Sequence, residues 1–330
     1  MKIAVDAMGG DNAPLEIVKG AYSAALEFSN HEITLIGVEN QIVDCFSKEI
    51  KTNIPENIKI VHSEVSISME DDPMIVMKDK SDSSMAIGLN MLKNDEVDVF
   101  LSAGSTGALH VGSTLMVRKV KGIRRSAIAA VLPFKNPILM LDAGANPEIT
   151  EDVLHQWAII GSLYAEKVFG FEKPRVGLLN NGVEENKGTA ILKEVYQVLK
   201  NDKRINFVGN IESRQLLESP CDVLVTDGFT GNVTLKLIEG LGMFMSTTVK
   251  DIFSTNLFTK LSYHFVKGKT ENIKKMFDAS EYGGAPLLGL SKPVIKAHGS
   301  SGAYDIKNAI KQAAKYYELD VIGKMSEMIL

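Results

Sequence analysis

The sequence predicts an α/β fold around a mostly parallel, mixed sheet. Short β-branched runs alternate with longer helical patterns almost from end to end, which is the rhythm of βαβ units. Asn136-Pro137 falls between two strand-like runs and predicts one local hairpin, so the sheet should be mixed. A chain of 330 residues with 45% hydrophobic and 23% charged residues is an ordinary soluble composition, large enough for a substantial core.

Strands are expected at 2–6, 32–37, 58–62, 97–102, 126–132, 137–142, 175–180, 205–208 and 222–226, each a short apolar run bounded by turn residues. Between them, 15–28, 83–92 and 190–199 carry apolar residues three and four apart and are expected as helices. From about 233 to 277 the pattern stays helical with no strand inserted. That stretch is expected as a helical insertion in a single domain spanning 1–330. No internal repeat or low-complexity segment interrupts the rhythm.

Composition narrows the function classes. A net charge of −5 argues against general nucleic-acid binding. No apolar stretch of about 18 residues predicts a membrane span, and no signal-like leader is read at Met1, so a cytoplasmic setting is expected. Cys45 and Cys221 are too few for a disulfide framework. No His, Cys and carboxylate spacing suits a metal, and no cofactor is expected.

Five small, polar loops follow predicted strands or open helices: "DAMGGDNAP" (6–14), "SAGSTGALHVG" (102–112), "NNGVEENKGT" (180–189), "DGFTGNVTLK" (227–236) and the long run 283–309 that contains "KAHGSSGA". In an open parallel sheet, ligands bind beyond the carboxyl ends of the strands. Glycines and small hydroxyls let backbone N–H groups approach an oxyanion. Five such loops predict a shared anion site rather than five capped turns. Ser102, Ser105, Thr106, Ser300 and Ser301 are the candidate phosphate donors, with Asn146 and Asp227 beside them. Lys187 should stand near a helix start, poised to hold a phosphate. Asn232 shares a turn with Asp227, and His298 sits in a polar, glycine-rich setting suited to proton transfer. Gly9 and Gly10 permit a close turn, with Asn12 opening the next helix. Asp6 and Asp11 would repel phosphate and are expected to support the loop instead. The P-loop signature and the dinucleotide glycine spacing are both missing.

Six stretches, "DAMGGD", "SAGSTGA", "LMLDAGAN", "GLLNNGVEENKG", "DGFTGNVTLKLIEG" and "GGAPLLGL…VIKAHGSS", resemble the PlsX family of phosphate acyltransferases, in the same order and from Met1 to about Ala309. Ser105, Asn181-Gly182 and "NIESRQLL" depart from the family's usual residues while staying small or polar, and Arg214 is kept. The resemblance implies a three-layer α/β/α fold like that of isocitrate and isopropylmalate dehydrogenases. It implies transfer of an acyl group from acyl carrier protein to inorganic phosphate, releasing acyl phosphate for membrane phospholipid synthesis through a glycerol-3-phosphate acyltransferase in the bilayer. Phosphate is itself a nucleophile, so the site must bind and align it and stabilise an oxyanion. Lys187 is expected to supply charge, Asn232 to face the oxyanion, and His298 to protonate the leaving thiol or orient phosphate.

Between residues 250 and 275 six lysines stand against two carboxylates, a local charge of +4 on an acidic chain. Phe253, Leu257, Leu261 and Phe265 recur every four residues, with Phe258 alongside and Lys260 and Lys267 among the basic residues. Such a stripe suits an anionic membrane surface or an acidic carrier protein. The resemblance implies peripheral membrane attachment here and a homodimer built on the helical insertion. Two other readings stay open: a phosphotransacetylase-like enzyme using acyl-coenzyme A, and a non-enzymatic membrane-associated scaffold of lipid synthesis.

Overall fold

A computed structural model describes residues 1–254, 268 and 277–329. The described chain gathers into two compact units. The first holds residues 1–130, 163–170 and 280–330; the second holds 131–162 and 171–279.

In the first unit, β1 (Lys2–Asp6), β2 (Glu32–Gly37), β3 (Ile58–His62) and β4 (Val99–Ser102) are all mutually parallel, in the order β3-β2-β1-β4. Every residue of β4, and all of β1 after Lys2, is buried, as expected of a parallel sheet covered on both faces. Helix α1 (Leu15–Glu27) crosses from β1 outward to β2, whereas α3 (Ser84–Lys93) crosses back from β3 to β4. Right-handed crossovers in opposite directions put these helices on opposite faces. The strand order therefore reverses between β1 and β4, the place where open α/β sheets form their ligand crevice.

Two further strands lie within the run 283–309, which the sequence presents as one long loop. They are β10 (Ala285–Leu288) and β11 (Val294–Lys296). Strand β11 pairs parallel with β4, while β10 runs antiparallel to β11 and to β5 (Ala127–Leu132). The sheet is mixed, since β10 runs against both of its neighbours. Helix α8 (Ala303–Glu318) leaves the β11 loop and packs on α1, with Ile306 close against Gly20, and buries Ala309, Ile310 and Ala313.

The second unit carries β6 (Ile138–Leu141), β7 (Arg175–Asn180), β8 (Asn206–Glu212) and β9 (Val223–Val225), parallel throughout in the order β6-β9-β7-β8. Strand β8 runs four residues past the expected end at 208, through Gly209 and Asn210, opposite a register shift in β7 between Val176 and Gly177. Trp157 on α5 (Glu151–Tyr164) is fully buried at its core. Arg175, the first residue of β7, grips Asp222, just before β9, with two side-chain nitrogens, at 2.8 and 3.1 Å. Helix α6 (Ala190–Asn201) follows β7, and α7 (Gly228–Ser254) follows β9. The latter opens five residues before the expected helical stretch, so Asn232 lies inside the helix, not in a turn preceding it.

Candidate active site

At the crevice of the first unit the strand register sets three polar side chains in one row. Val5 of β1 pairs with Leu101 of β4, and Ser102 of β4 pairs with Lys296 of β11. Asp6, Ser102 and Lys296 thus stand side by side at the carboxyl ends of three adjacent strands. All three are buried.

Asp6 accepts hydrogen bonds from the Ser84 hydroxyl at 2.6 Å, the Ser102 hydroxyl at 2.7 Å and the Met8 amide at 3.1 Å. Burial pushes its carboxyl up from the usual carboxylate range, and those hydrogen bonds oppose the shift. The Lys296 ammonium donates to the carbonyls of Ala103, at 3.3 Å, and Ala297. Burial pulls this amine down to about 8, against the attraction of Asp6 and Asp11.

Backbone contacts then bind the three loops to one another. The Asp11 amide donates to Gly299 O at 2.7 Å, the Ala297 amide to Ser102 O at 2.9 Å, and the Asn12 side chain to Ser300 O at 2.9 Å. Two glycines make this closeness possible. A Cβ on Gly9 would stand 2.6 Å from both Asp6 Oδ2 and the Gly104 nitrogen. Gly10 has φ +98° and would meet Gly299 O at 2.9 Å.

The expected phosphate donors of this unit fall into two groups. Ser102 is wholly buried; its hydroxyl donates to Asp6 and accepts from the Gly104 amide at 3.0 Å, so it ties loops together. Ser105 is buried and caps the helix α4 (Thr106–Gly112) by accepting from Ala108 N, while Thr106 is exposed. Ser301 is buried beneath the exposed Ser300, whose hydroxyl meets His298 Nδ1 at 2.8 Å. The start of α8 is already occupied by protein carboxylates: Asp305 accepts from Gly302 N and Glu16 from Ala303 N. An anion at this loop therefore meets the loop itself rather than the end of the helix.

The other candidates belong to the second unit. Asp142, fully buried after β6, accepts from the amides of Gly144, Ala145 and Asn146 and from the Asn146 side chain. Asn146 O in turn accepts from Gly228 N. Asn232 packs against Gly144, whose Cβ would stand 3.3 Å from its amide carbon. Asp227 accepts from the amide and hydroxyl of Thr230 and caps α7. Lys187 is exposed, with its stem over Gly182. Its carbonyl accepts from Asn180, which also donates to Asn210. A pocket of about 580 Å³ opens here, lined by Asn180, Asn181, Thr189, Ser213, Asp227 and Thr230 among others.

The sequence reading missed Ser84 and Lys296. Ser84 looks like an ordinary first residue of a helix, and Lys296 like a solvated lysine before a loop. The basic-stripe candidates Leu257, Phe258, Lys260, Leu261, Phe265 and Lys267 lie outside the described residues.

The first unit is thus an α/β sheet whose loops, at the carboxyl ends of its parallel strands, close over a buried carboxylate and a buried amine. A phosphotransacetylase structure from Streptococcus pyogenes shares the fold, with a TM-score of 0.63 at 15% identity over 96% of this chain and 94% of that one. The chain belongs to the fatty acid synthesis protein family, whose model matches residues 1–324. Relatives named phosphate acyltransferase match its full length. The protein of Thermoanaerobacterium thermosaccharolyticum is 47% identical and that of Caldanaerobacter subterraneus 46%, each covered over 97% of its length. The Bacillus cereus protein is 43% identical and 98% covered. The chain is an acyltransferase of this family.

Proposed function

We propose that the protein transfers an acyl group from the thioester of acyl carrier protein to inorganic phosphate, yielding acyl phosphate for phospholipid synthesis. The observation that carries this reading is the full-length kinship with proteins named phosphate acyltransferase. Three glycine- and serine-rich loops bound together in the first unit suit the anionic acceptor. In the reaction a phosphate oxygen bonds to the carbonyl carbon, the carbon–sulfur bond breaks, and the proton lost by phosphate ends on the leaving sulfur. His298, exposed and hydrogen-bonded to Ser300, is assigned the proton transfer or the orientation of phosphate. Ser105, Thr106, Ser300 and Ser301 are assigned to phosphate, Lys187 to its charge and Asn232 to the oxyanion.

Trapping acyl phosphate with hydroxylamine, with acyl carrier protein and coenzyme A thioesters compared as donors, tests the reading. Hydroxamate formed well from the carrier-bound acyl group supports it. Equal or better use of the coenzyme A thioester would favour the phosphotransacetylase-like alternative. Lys187→Ala and His298→Ala are each expected to slow turnover by about 100-fold. Unchanged turnover in both would overturn the assigned roles.

Among the described residues no helix is long and apolar enough to cross a membrane. Peripheral attachment is proposed from the basic stripe alone. Leu257→Glu with Phe258→Glu should release the protein from anionic vesicles while sparing turnover, and retained binding would defeat it. A homodimer is supported by α7, which leaves Val233, Leu237, Leu241 and Phe244 exposed along one face. Leu237→Glu should then shift the sedimenting species to monomer.

A further inference from the structure

The crevice of the first unit poses an electrostatic problem. Its loops carry Asp6 and Asp11, and both would repel a phosphate. Within 6–14, 102–112 and 296–303 Lys296 is the only lysine or arginine. Yet its ammonium is buried, and it bonds carbonyls of two different loops, Ala103 after β4 and Ala297 after β11. Holding an ammonium out of water is costly, and an apolar side chain of similar length would fill the space at less cost. A charge kept in such a place calls for a use.

We propose that Lys296 is a positioning residue for phosphate: its buried ammonium ties the β4 and β11 loops together and supplies the positive charge that Asp6 and Asp11 would otherwise deny the anion. It acts from beneath the loops, through the backbone it holds, and does not touch the reacting atoms. The inference rests on the phosphate reading of this site. Protonated, the amine makes charge-assisted bonds to both carbonyls and offsets the two carboxylates. Deprotonated, it keeps only weaker bonds and leaves the carboxylates uncompensated. The titratable groups around it are Asp6 from β1, Asp11 from the loop after β1 and His298 two residues along its own loop; Ser84 and Ser102 are neutral. With the amine pulled down to about 8, its charge is lost just where phosphate is already the dianion.

The test measures KM for inorganic phosphate and kcat from about pH 7 to about pH 10, in the wild type, Lys296→Met and His298→Ala. In the wild type, KM should climb about tenfold through that window while kcat at saturating phosphate changes less. Lys296→Met should begin with KM raised about tenfold or more and show no alkaline climb. His298→Ala should keep the climb. A Lys296→Met enzyme with wild-type KM and an intact climb would overturn the proposal, as would a collapse of kcat with KM unchanged.

A second measurement needs no variant: the rise in Tm that inorganic phosphate gives the wild type, followed over the same pH range. It should shrink above about pH 8, and a rise that holds steady would overturn the proposal even if Lys296→Met does not fold. The two readings can fail separately. If no thioester yields acyl phosphate, the transfer reading fails while the Tm measurement still judges Lys296. If turnover is normal and phosphate KM is flat with pH, only the Lys296 inference fails.

Discussion

The two units hold their loops by different physics. In the first, side chains do it: a buried carboxylate gathers two serines, and a buried ammonium gathers two carbonyls from separate loops. In the second, a buried carboxylate, Asp142, gathers the amides of Gly144, Ala145 and Asn146 and the Asn146 side chain. The first arrangement concentrates charge at the loops proposed to receive phosphate. The second encloses a pocket of amides and hydroxyls with Asp227 as its one acidic lining residue. A charged cross-link is adjustable by pH, whereas close backbone packing is not.

The largest effect should come from breaking the backbone packing of the second unit. A Cβ on Gly231 would stand 1.9 Å from Asp142 O, and neither partner is a flexible side chain. Gly231→Ala is expected to cost about 5 kcal/mol in denaturant unfolding, beyond the ordinary range for single substitutions. A loss below about 1 kcal/mol would show that α7 slides freely on the β6 loop.

Next in size is the carboxylate of the first unit. Asp6→Ala leaves the Ser84 and Ser102 hydroxyls without their acceptor and removes one of the two carboxylates that attract Lys296, which should cost about 3–4 kcal/mol. Phosphate-dependent stabilisation should disappear with it. A protein that unfolds like the wild type would mean the loops do not depend on that row.

These two residues also show where sequence reading stops. Strands β1, β2, β3 and β7 were legible to the residue, because β-branched runs between turn signals need no tertiary knowledge. The supporting role expected of Asp6 followed from charge alone. Lys296 did not, since β11 is three residues long and its partner carbonyl at Ala103 lies 193 positions away. Short strands flanked by Gly289 and Pro293 look like loop, and no local period encodes a pairing at that distance. Ser102 was found, but as a ligand donor; only the register with β1 reveals that its hydroxyl is spent on Asp6. Likewise Asn232 was placed in a turn because the small residues of "DGFTGN" conceal that the helix begins at Gly228.

The third effect separates stability from function within the charged row. Lys296 has its amine pulled down from 10.5 to about 8. Below about pH 8 it is protonated both folded and unfolded, and the folded state bears the cost of burying the ammonium. Between about 8 and 10.5 the unfolded chain still binds that proton while the folded one does not, so stability should rise with pH there. The rise should total roughly 3 kcal/mol and be absent in Lys296→Met, which should be as stable as the wild type near neutrality or more so. Phosphate affinity is expected to move the opposite way over the same range. If stability and affinity fall together with rising pH, the lysine is a structural tie and nothing more.

The smallest effect lies at the mouth of the second unit's pocket. Thr189 caps α6, its hydroxyl accepting from Leu192 N at 3.3 Å, and the side chain is exposed. Thr189→Ala should cost about 1 kcal/mol and Thr189→Ser almost nothing, since the serine hydroxyl can cap as well. That pair of variants also weighs the pocket's part in the chemistry. If the hydroxyl only starts the helix, the alanine variant should turn over at the wild-type rate once it is kept well below its melting temperature. If turnover instead falls tenfold or more in folded Thr189→Ala and is restored in Thr189→Ser, the pocket handles substrate. Thr189 would then join Lys187 and Asn232 as a third residue of the second unit assigned to the reaction.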